Sequence, residues 1–285
     1  MVRFALLAAA SVAFAAPAMA QTASADTATA PALPDPNDQR DTITIGVGGA
    51  IIPDYEGSDD YRIIPAVAIR GRYKGIGFST RGTFLYLDLV PRGTGKLSFS
   101  AGPIAGVRLN RTGKVKDDLV NLLPDRKAAI EVGGFAGVSY RGLTNPYDSL
   151  GARVDVVRDV NSAHRSTIVS PTIEYGTPLS RTTYVGVSAS LDFVADKYAR
   201  YYFGITPAET LVSGLSTYTP EGGLKNWRVG LLANQSLTGD LLGGLSLFGT
   251  ASYSKLQGDF KRSPIVAQRG SASQWLGALG LAYTF

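Results

Sequence analysis

The stretch Gln274-Trp275-Leu276-Gly277-Ala278-Leu279-Gly280-Leu281-Ala282-Tyr283-Thr284-Phe285 decides the fold. Every second residue of it, in one register, is large and apolar, with aromatic rings near both ends. The other register holds small or polar residues. Because a β-strand sends alternate side chains to opposite faces, the stretch predicts a strand with one apolar and one small or polar face.

The end of this strand indicates where the apolar face lies. Leu281, Tyr283 and Phe285 alternate up to the last residue of the sequence. This pattern resembles the signal that closes outer-membrane β-barrels, whose aromatic residues form girdles at the membrane interfaces. We interpret the three residues as a membrane-insertion signal. A half-buried strand of a soluble β-protein is the alternative.

The first residues predict export. Arg3 is the only charged residue among the first 25, an apolar run follows it, and Ala18-Met19-Ala20 forms a small-x-small site. This pattern predicts a secretory signal peptide over residues 1–20, cut between Ala20 and Gln21. A transmembrane anchor is the alternative, but the run is short for a span. Residues 21–41, rich in Ala, Thr, Pro and Asp, predict a disordered periplasmic tail.

Composition excludes several classes of protein. The chain has 33 Gly, 14 Tyr and no Cys, which excludes a disulfide framework and a lipidated cysteine. Beyond the signal, no run of 18 apolar residues predicts a membrane-spanning helix. The net charge is +5, but the basic residues are scattered, so we expect no nucleic-acid partner. We expect contact with outer-membrane lipid and lipopolysaccharide instead, after insertion by the barrel-assembly machinery.

Residues 42–285 contain eleven segments in which apolar and polar residues alternate. Bacterial single-chain barrels have an even number of strands, so eleven is inconsistent. Splitting the segment Ile76–Val90 near Arg81-Gly82 gives twelve strands, and discarding a piece gives ten. The sequence therefore predicts an all-β protein, a transmembrane antiparallel β-barrel of the outer membrane with twelve strands, ten being possible. Three prolines fall inside these segments and predict β-bulges: Pro65, Pro103 and Pro171.

Charges of both signs fall in the register that faces the lumen. Because side chains fill a small barrel, they predict a narrow, salt-bridged lumen rather than a wide pore. The predicted lumen residues are Arg70, Arg108, Arg141, Arg153 and Arg228 with Glu131, Asp155, Asp159, Glu174 and Asp192.

The chain offers little for catalysis. With one His and no Cys, we expect no metal or other cofactor. His164 and Ser166, with Glu174 downstream, loosely resemble the arrangement of outer-membrane lipid A deacylases. The simpler interpretation is a solvated histidine in a loop.

Four short motifs together resemble a known family. They are PDYEGSDDYR at 53–62, YYFGITPAETLVSGLSTY at 201–218, SPIV at 263–266 and GLAYTF at 280–285. In this order they resemble the MipA/OmpV family of MltA-interacting outer-membrane proteins. The candidate functional residues on these loops are Asp54, Tyr55, Glu56, Gly57, Ser58, Asp59, Asp60, Tyr202, Phe203, Gly204, Ser213, Gly214, Leu215, Ser263 and Pro264.

The resemblance implies a barrel in the outer membrane of a Gram-negative bacterium, with no catalytic residues. The family is similar to a scaffold that links a lytic transglycosylase to a bifunctional murein synthase. The resemblance therefore implies a non-enzymatic protein of this kind. A porin-like channel connected with antibiotic or osmotic response is one alternative. A lipid A-modifying barrel enzyme is another. The 201–218 and 263–266 loops are expected to lie outside the cell and to pack on each other as a lid. The acidic stretch 53–62 is expected to be a turn, or else a site for a divalent cation.

Overall fold

The protein is a closed barrel of twelve antiparallel strands. The computed structural model describes residues 41–91, 93 and 95–285; the predicted signal peptide and all of the predicted tail except Asp41 lie outside the described residues. The strands are β1 Thr42–Pro53, β2 Tyr61–Tyr73, β3 Ile76–Arg81, β4 Phe84–Asp88, β5 Leu97–Arg108, β6 Ala129–Arg141, β7 Ser149–Asp159, β8 Thr167–Pro178, β9 Thr183–Val194, β10 Gly223–Ser236, β11 Gly244–Leu256 and β12 Ser273–Thr284.

Two features confirm the prediction of twelve strands. The segment after β2 is split into β3 and β4 by a tight turn in which Gly82 has a φ of +58°, a conformation that suits glycine. The last strand pairs with the first, from Thr44↔Thr284 to Ile51↔Gly277, which closes the barrel. Closure leaves both ends of the described chain at the same end of the barrel.

Alternation along the strands puts apolar side chains outside. Ile63, Phe99 and Leu279 are among the most exposed aliphatic and aromatic residues, at 81, 61 and 62%. An outer aromatic cluster, Tyr61, Trp227, Tyr253 and Trp275, lies at one rim on strands β2, β10, β11 and β12, with ring centroids of Trp227–Tyr253 at 5.4 Å and Tyr253–Trp275 at 4.9 Å. Tyr61 belongs to it because its hydroxyl accepts from the Trp275 N–H. Exposed apolar residues between aromatic rims are the surface that a bilayer covers.

The connections differ in size at the two ends. At the end that holds the termini they are 74–75, 89–96, 142–148, 179–182 and 237–243. At the other end they include 109–128, 195–222 and 257–272. Because barrels of this kind keep short turns in the periplasm, the long connections are extracellular. Strand β8 runs through Gly176-Thr177-Pro178, and the chain turns only at 179–182.

The three prolines do not form bulges. Pro65↔Gly49, Pro103↔Gly134 and Pro171↔Val154 all lie in continuous registers. Instead the ladder on the other side of each proline is interrupted, which accommodates a residue without an N–H. A register shift does occur elsewhere in the described strands, between Leu224 and Asn226 in the pairing of β10 with β9.

The extracellular connections carry short helices: a 3-10 turn at Val120–Leu122, α1 Asp196–Phe203, α2 Pro207–Ser213, α3 Gly258–Arg262 and α4 Pro264–Ala267. Thr206 and Glu209 form a capping box at the start of α2, and Gly214 ends it with a φ of +72°. Among the described helices, none has both the length and the apolar character to span a membrane. We call the connections 54–60, 109–128, 195–222 and 257–272 the cap.

Candidate functional site: the extracellular cap

The cap has a hydrophobic core of its own, packed against the extracellular ends of the strands. Tyr198, Tyr202 and Phe203 of α1 are buried, as are Phe260 and Ile265 of the 257–272 connection. This core holds the connections in one arrangement, because the burial of each aromatic side chain stabilises the folded cap by a few kcal/mol. The long extracellular connections are therefore folded together rather than independent.

The 201–218 and 263–266 loops pack on each other, as predicted from the sequence. The Ser263 hydroxyl donates to the Phe203 carbonyl at 2.6 Å, and the rings of Phe203 and Phe260 meet at 5.2 Å. Tyr202, Gly204, Ser213, Leu215 and Pro264 are buried, and Gly214 is exposed.

The acidic stretch fastens the first hairpin to the cap. The Tyr55 hydroxyl donates to the carbonyls of Ile265 and Arg269 at 3.0 and 3.1 Å. Gly57 N–H donates to Gln274 Oε1 at 3.0 Å, and Gln274 Nε2 donates to the Ser58 carbonyl at 2.7 Å. These bonds join residues more than 200 positions apart in the sequence, so the motif acts as a structural clasp.

The acidic side chains of this stretch have different surroundings. Asp54 is buried and accepts from Arg62 Nε at 2.6 Å and from the Lys116 N–H at 2.8 Å. Asp59 is exposed and Asp60 is half-buried. In the part of the chain that the structure describes, no three His, Asp or Glu side chains cluster as a metal site.

Glu56 is the centre of a polar network beneath α1. Its carboxylate accepts from Lys225 Nζ and from the Tyr198 hydroxyl, both at 2.7 Å. Lys225 belongs to β10 and is almost fully buried, and Asn110 exchanges two hydrogen bonds with Glu56. The network thus connects the barrel wall, α1, the first hairpin and the 109–128 connection.

The electrostatics of the cap follow from burial and pairing. Burial opposes the ionisation of Glu56, but Lys225 and Arg108 together hold its pKa below the ordinary value. Burial, reinforced by the Glu56 charge, raises the pKa of Tyr198 well above its usual range. Burial and the nearby Arg126 lower the pKa of Arg111 to about 10. At neutral pH, Glu56 is therefore ionised and Tyr198 is neutral and donates its proton.

A second network lies at the rim beside the first. Arg108 binds Glu131 with two hydrogen bonds, Nε–Oε1 at 2.7 Å and Nη2–Oε2 at 3.0 Å. His164 Nε2 lies 3.0 Å from Glu131 Oε1 and its side chain is fully buried. The prediction of a solvated histidine is therefore wrong: His164 does lie in a connection, but Glu131 draws it inward and Tyr198 and Tyr202 pack against its ring.

This arrangement does not assemble a serine-histidine pair. Ser166 Oγ and His164 Nδ1 are both buried without a hydrogen-bond partner. Glu174 lies elsewhere in the barrel, where it contacts Arg81 at 3.5 Å and Arg153 at 3.7 Å.

Most of the predicted lumen charges are paired inside the barrel. Arg153 binds Asp155 at 2.6 Å, and Asp192 lies 3.8 Å from Lys225 and 3.7 Å from Arg228. Two of the predicted residues have other roles. Arg141 donates to the carbonyls of Gly93 and Gly95 in a periplasmic connection, and Asp159 accepts from the N–H groups of Asn161 and Arg165 to shape a turn.

Four residues that hold the cap in place were missed from the sequence, two within the cap and two on strands β10 and β12: Tyr198, Asn110, Lys225 and Gln274. Lys225 could have been identified from the sequence, since a lysine at the start of an alternating segment needs a carboxylate partner if its side chain points inward. The other three carried no such signal, because their partners come from distant parts of the chain.

Comparison with curated protein sequences finds no match. Among solved structures, the NanC porin is similar with 9% identity and a TM-score of 0.47, over 85% of this chain and 98% of that one. An outer-membrane channel from Pseudomonas putida F1 is 13% identical, with a TM-score of 0.46 over 92 and 100% of the two chains. The channel DcaP of Acinetobacter baumannii is 9% identical, with a TM-score of 0.39 over 86 and 96%.

The family comparison agrees with the motifs and with the barrel. The sequence model described as MltA-interacting protein MipA matches residues 45–285, from the first strand through the cap to the last residue. This outer-membrane β-barrel therefore belongs to the MipA family.

Proposed function

We propose that the protein is a non-enzymatic scaffold that holds a murein-lytic enzyme at the periplasmic face of the outer membrane. The observation that carries the proposal is membership of a family described as MltA-interacting. In this role the barrel supplies a fixed position in the membrane, and a murein synthase is the second expected partner.

The position of the cap supports a periplasmic docking surface. The family motifs at 53–62, 201–218 and 263–266 lie in the cap or directly beside it, on the extracellular side, where they stabilise one another. They are therefore remote from murein enzymes. The opposite rim carries one half-exposed leucine in or beside each of four turns, which we call the periplasmic leucines: Leu89, Leu143, Leu179 and Leu237. Exposed apolar residues near a rim are suited to a partner or to lipid headgroups.

The absence of catalysis is part of the proposal. His164 is engaged with Glu131, and its second ring nitrogen does not bind Ser166 Oγ. A serine nucleophile needs a base within hydrogen-bond reach, so this geometry gives no support to lipid A modification.

The scaffold is tested by co-purification from detergent extract with an MltA-type lytic transglycosylase. We expect the native protein to retain the enzyme, and the double variant Leu143→Ser/Leu179→Ser to retain much less. Leu211→Ser, which changes an 88% exposed leucine on the extracellular α2, is the matched control and should retain it fully. Failure of the native protein to bind the lytic transglycosylase at low salt would refute the scaffold function.

A small-solute channel is the second candidate, and one observation favours it. Arg81, Glu174 and Arg228 face inward, yet 44–46% of each side chain remains accessible. Accessible charges of both signs are suited to a water-containing lumen, while the cap lies over the outer mouth. Planar-bilayer recordings are expected to show small steps if this candidate holds, and the absence of any step excludes it.

A further inference from the structure

The wall of the barrel is incomplete beside β2. This strand pairs with β1 over its whole length, from Thr42↔Arg72 to Pro53↔Tyr61. Its pairing with β3 covers four pairs only, from Arg70↔Ser79 to Tyr73↔Ile76. Above them, the Thr80 hydroxyl accepts from the Ile69 N–H at 2.9 Å and completes the last contact. The segment Tyr61–Ala68 therefore has one strand neighbour among the described strands.

The backbone groups of this edge point into the gap. The backbone N–H of Ile69 points toward β3. Because the backbone polar groups of successive strand residues point to alternate sides, those of Tyr61, Ile63, Pro65 and Val67 point the same way as those of Ile69. The Tyr61 carbonyl accepts from Lys116 Nζ at 2.6 Å. Within the described residues, the backbone groups of Ile63 and Val67 have no partner on this side. The gap thus begins below Tyr61 and ends at Ile69.

The other borders are the β3–β4 turn at 81–83 and the upper end of β5. The Val107 N–H reaches the Thr83 carbonyl at 3.4 Å, so the hairpin stays attached to β5. Two strands are absent between β2 and the chain that continues from β5, and three inter-strand spacings in an undistorted sheet amount to a backbone separation of roughly 14 Å. The 109–128 connection closes the gap from above through Lys116.

The opening lies at the level of the outer leaflet. Tyr61 belongs to the outer aromatic cluster, and Ile63 and Val67, exposed at 81 and 61%, follow it toward the membrane centre. An unpaired sheet edge is not stable in hydrocarbon and occurs at this depth only where protein buries it or where it lines a water-filled cavity. Ile63 and Val67 are exposed, which leaves the second case. Lumen water must therefore reach this edge.

A second strand does not suit the edge. An added strand needs alternating donors and acceptors, and Pro65 supplies no donor at the centre of the exposed segment. A molecule with an acyl chain in the leaflet and a polar head in the lumen makes no such demand.

The charged side chains next to the gap determine which charge the head group of such a molecule should carry. Arg81, at the lower border, is half accessible and shares Glu174 with Arg153. Arg70 interacts with the same carboxylate, and Asp155 is bound to Arg153. Three guanidinium groups therefore face two carboxylates, and the surplus is positive.

We propose that the gap between β2 and the β3–β4 hairpin is a lateral portal that admits single-chain anionic amphiphiles from the outer leaflet, with the head group at Arg81. The portal depends on the open edge of the wall and on water in the lumen, and it requires neither the scaffold function nor ion conduction.

The hydration of the portal is tested first, using the absence of cysteine in the sequence. Ile63→Cys and Val67→Cys are compared with Val229→Cys, a lipid-facing site on β10, which is paired on both sides. In proteoliposomes, a membrane-impermeant maleimide should label the two portal sites at least ~10-fold faster, since thiols ionise in water and not in hydrocarbon. Equal, slow labelling of all three overturns the portal.

The ligand is tested with hexadecanoic acid that carries a diazirine on its chain. Photo-crosslinks should map to β2 and the 81–83 turn, and Arg81→Gln should reduce them about 5-fold through loss of a charge-assisted contact. Arg228→Gln, which changes another half-accessible lumen arginine, is the control and should leave them unchanged. Heat-modifiable gel mobility verifies that each variant is folded. Crosslinks of equal yield in both variants, or equal yield for the amine of the same chain length, overturn the anionic selectivity.

Discussion

Single residues decide whether the cap can close. Gly57 has a φ of +101°, and a Cβ added there would lie 2.4 Å from Val266 Cγ2. Its N–H is at the same time bound to Gln274. The position therefore requires glycine for its backbone conformation and for the close approach of the 257–272 connection.

Gly57→Ala is expected to destabilise the cap by about 1–3 kcal/mol, from backbone strain and overpacking together. Limited proteolysis of the 195–222 and 257–272 connections in detergent measures the loss. Gly49→Ala is the control, because a Cβ there meets no atom within 4 Å. Equal proteolysis of the two variants would contradict the clasp.

Lys225→Met should loosen the cap by roughly 3 kcal/mol, because it leaves the Glu56 carboxylate without its buried cation. In the double variant with Glu56→Gln, the combined loss should be clearly smaller than the sum, which a double-mutant cycle in urea measures. Lys197→Met changes an exposed lysine of α1 and should have little effect. Additive losses would show that the pair is not coupled.

At the scale of elements, α2 depends on ionised Glu209. Burial opposes its ionisation, but hydrogen bonds from the Thr206 N–H and hydroxyl and the charge of Arg126 lower its pKa. A lowered folded-state pKa means that the stabilisation is complete above the unfolded value of about 4.3 and is lost as the pH falls through the folded value.

Acidification from pH 6 to pH 3 is therefore expected to release α2. Spin labels at Leu211→Cys in α2 and Val229→Cys in the wall should give a narrow distance distribution at pH 6 and a broad one at pH 3. The Glu209→Gln background is the control, where the distribution should already be broad at pH 6. A distribution that stays narrow at pH 3 would refute the role of Glu209.

At the scale of the whole molecule, the seam between β1 and β12 closes the barrel. The Phe285 N–H donates to the Ile43 carbonyl at 2.9 Å, and the rings of Tyr283 and Phe285 meet at 4.8 Å on the exposed side. The insertion role that the sequence assigns to Leu281, Tyr283 and Phe285 stays a prediction.

Phe285→Ser should lower the folded fraction in the outer membrane several-fold, because it removes an interfacial aromatic ring from the closing strand. Heat-modifiable mobility of membrane fractions measures it. Phe285→Tyr keeps the ring and should assemble normally, and equal assembly of the two variants would remove the signal role.

The sequence by itself determined the barrel, its even strand number and the direction of its strands. The strands follow from the local alternation of residues such as Val47, Phe99 and Leu279, which a strand converts directly into two faces. The even number follows from the rule that bacterial single-chain barrels have an even number of strands, because the alternating segments alone number eleven. Even the split of the segment after β2 was visible, because Gly82 marks a turn.

Only the tertiary structure decided what lies inside and above the barrel. Glu56 binds Tyr198 and Lys225, which lie more than 140 positions away in the sequence. His164 is buried because Glu131 and α1 surround it. The open edge of β2 depends on where β3 stops pairing, which the alternation of β2 does not reveal. Alternation is a property of neighbouring residues, whereas these contacts depend on how distant segments meet when the barrel closes.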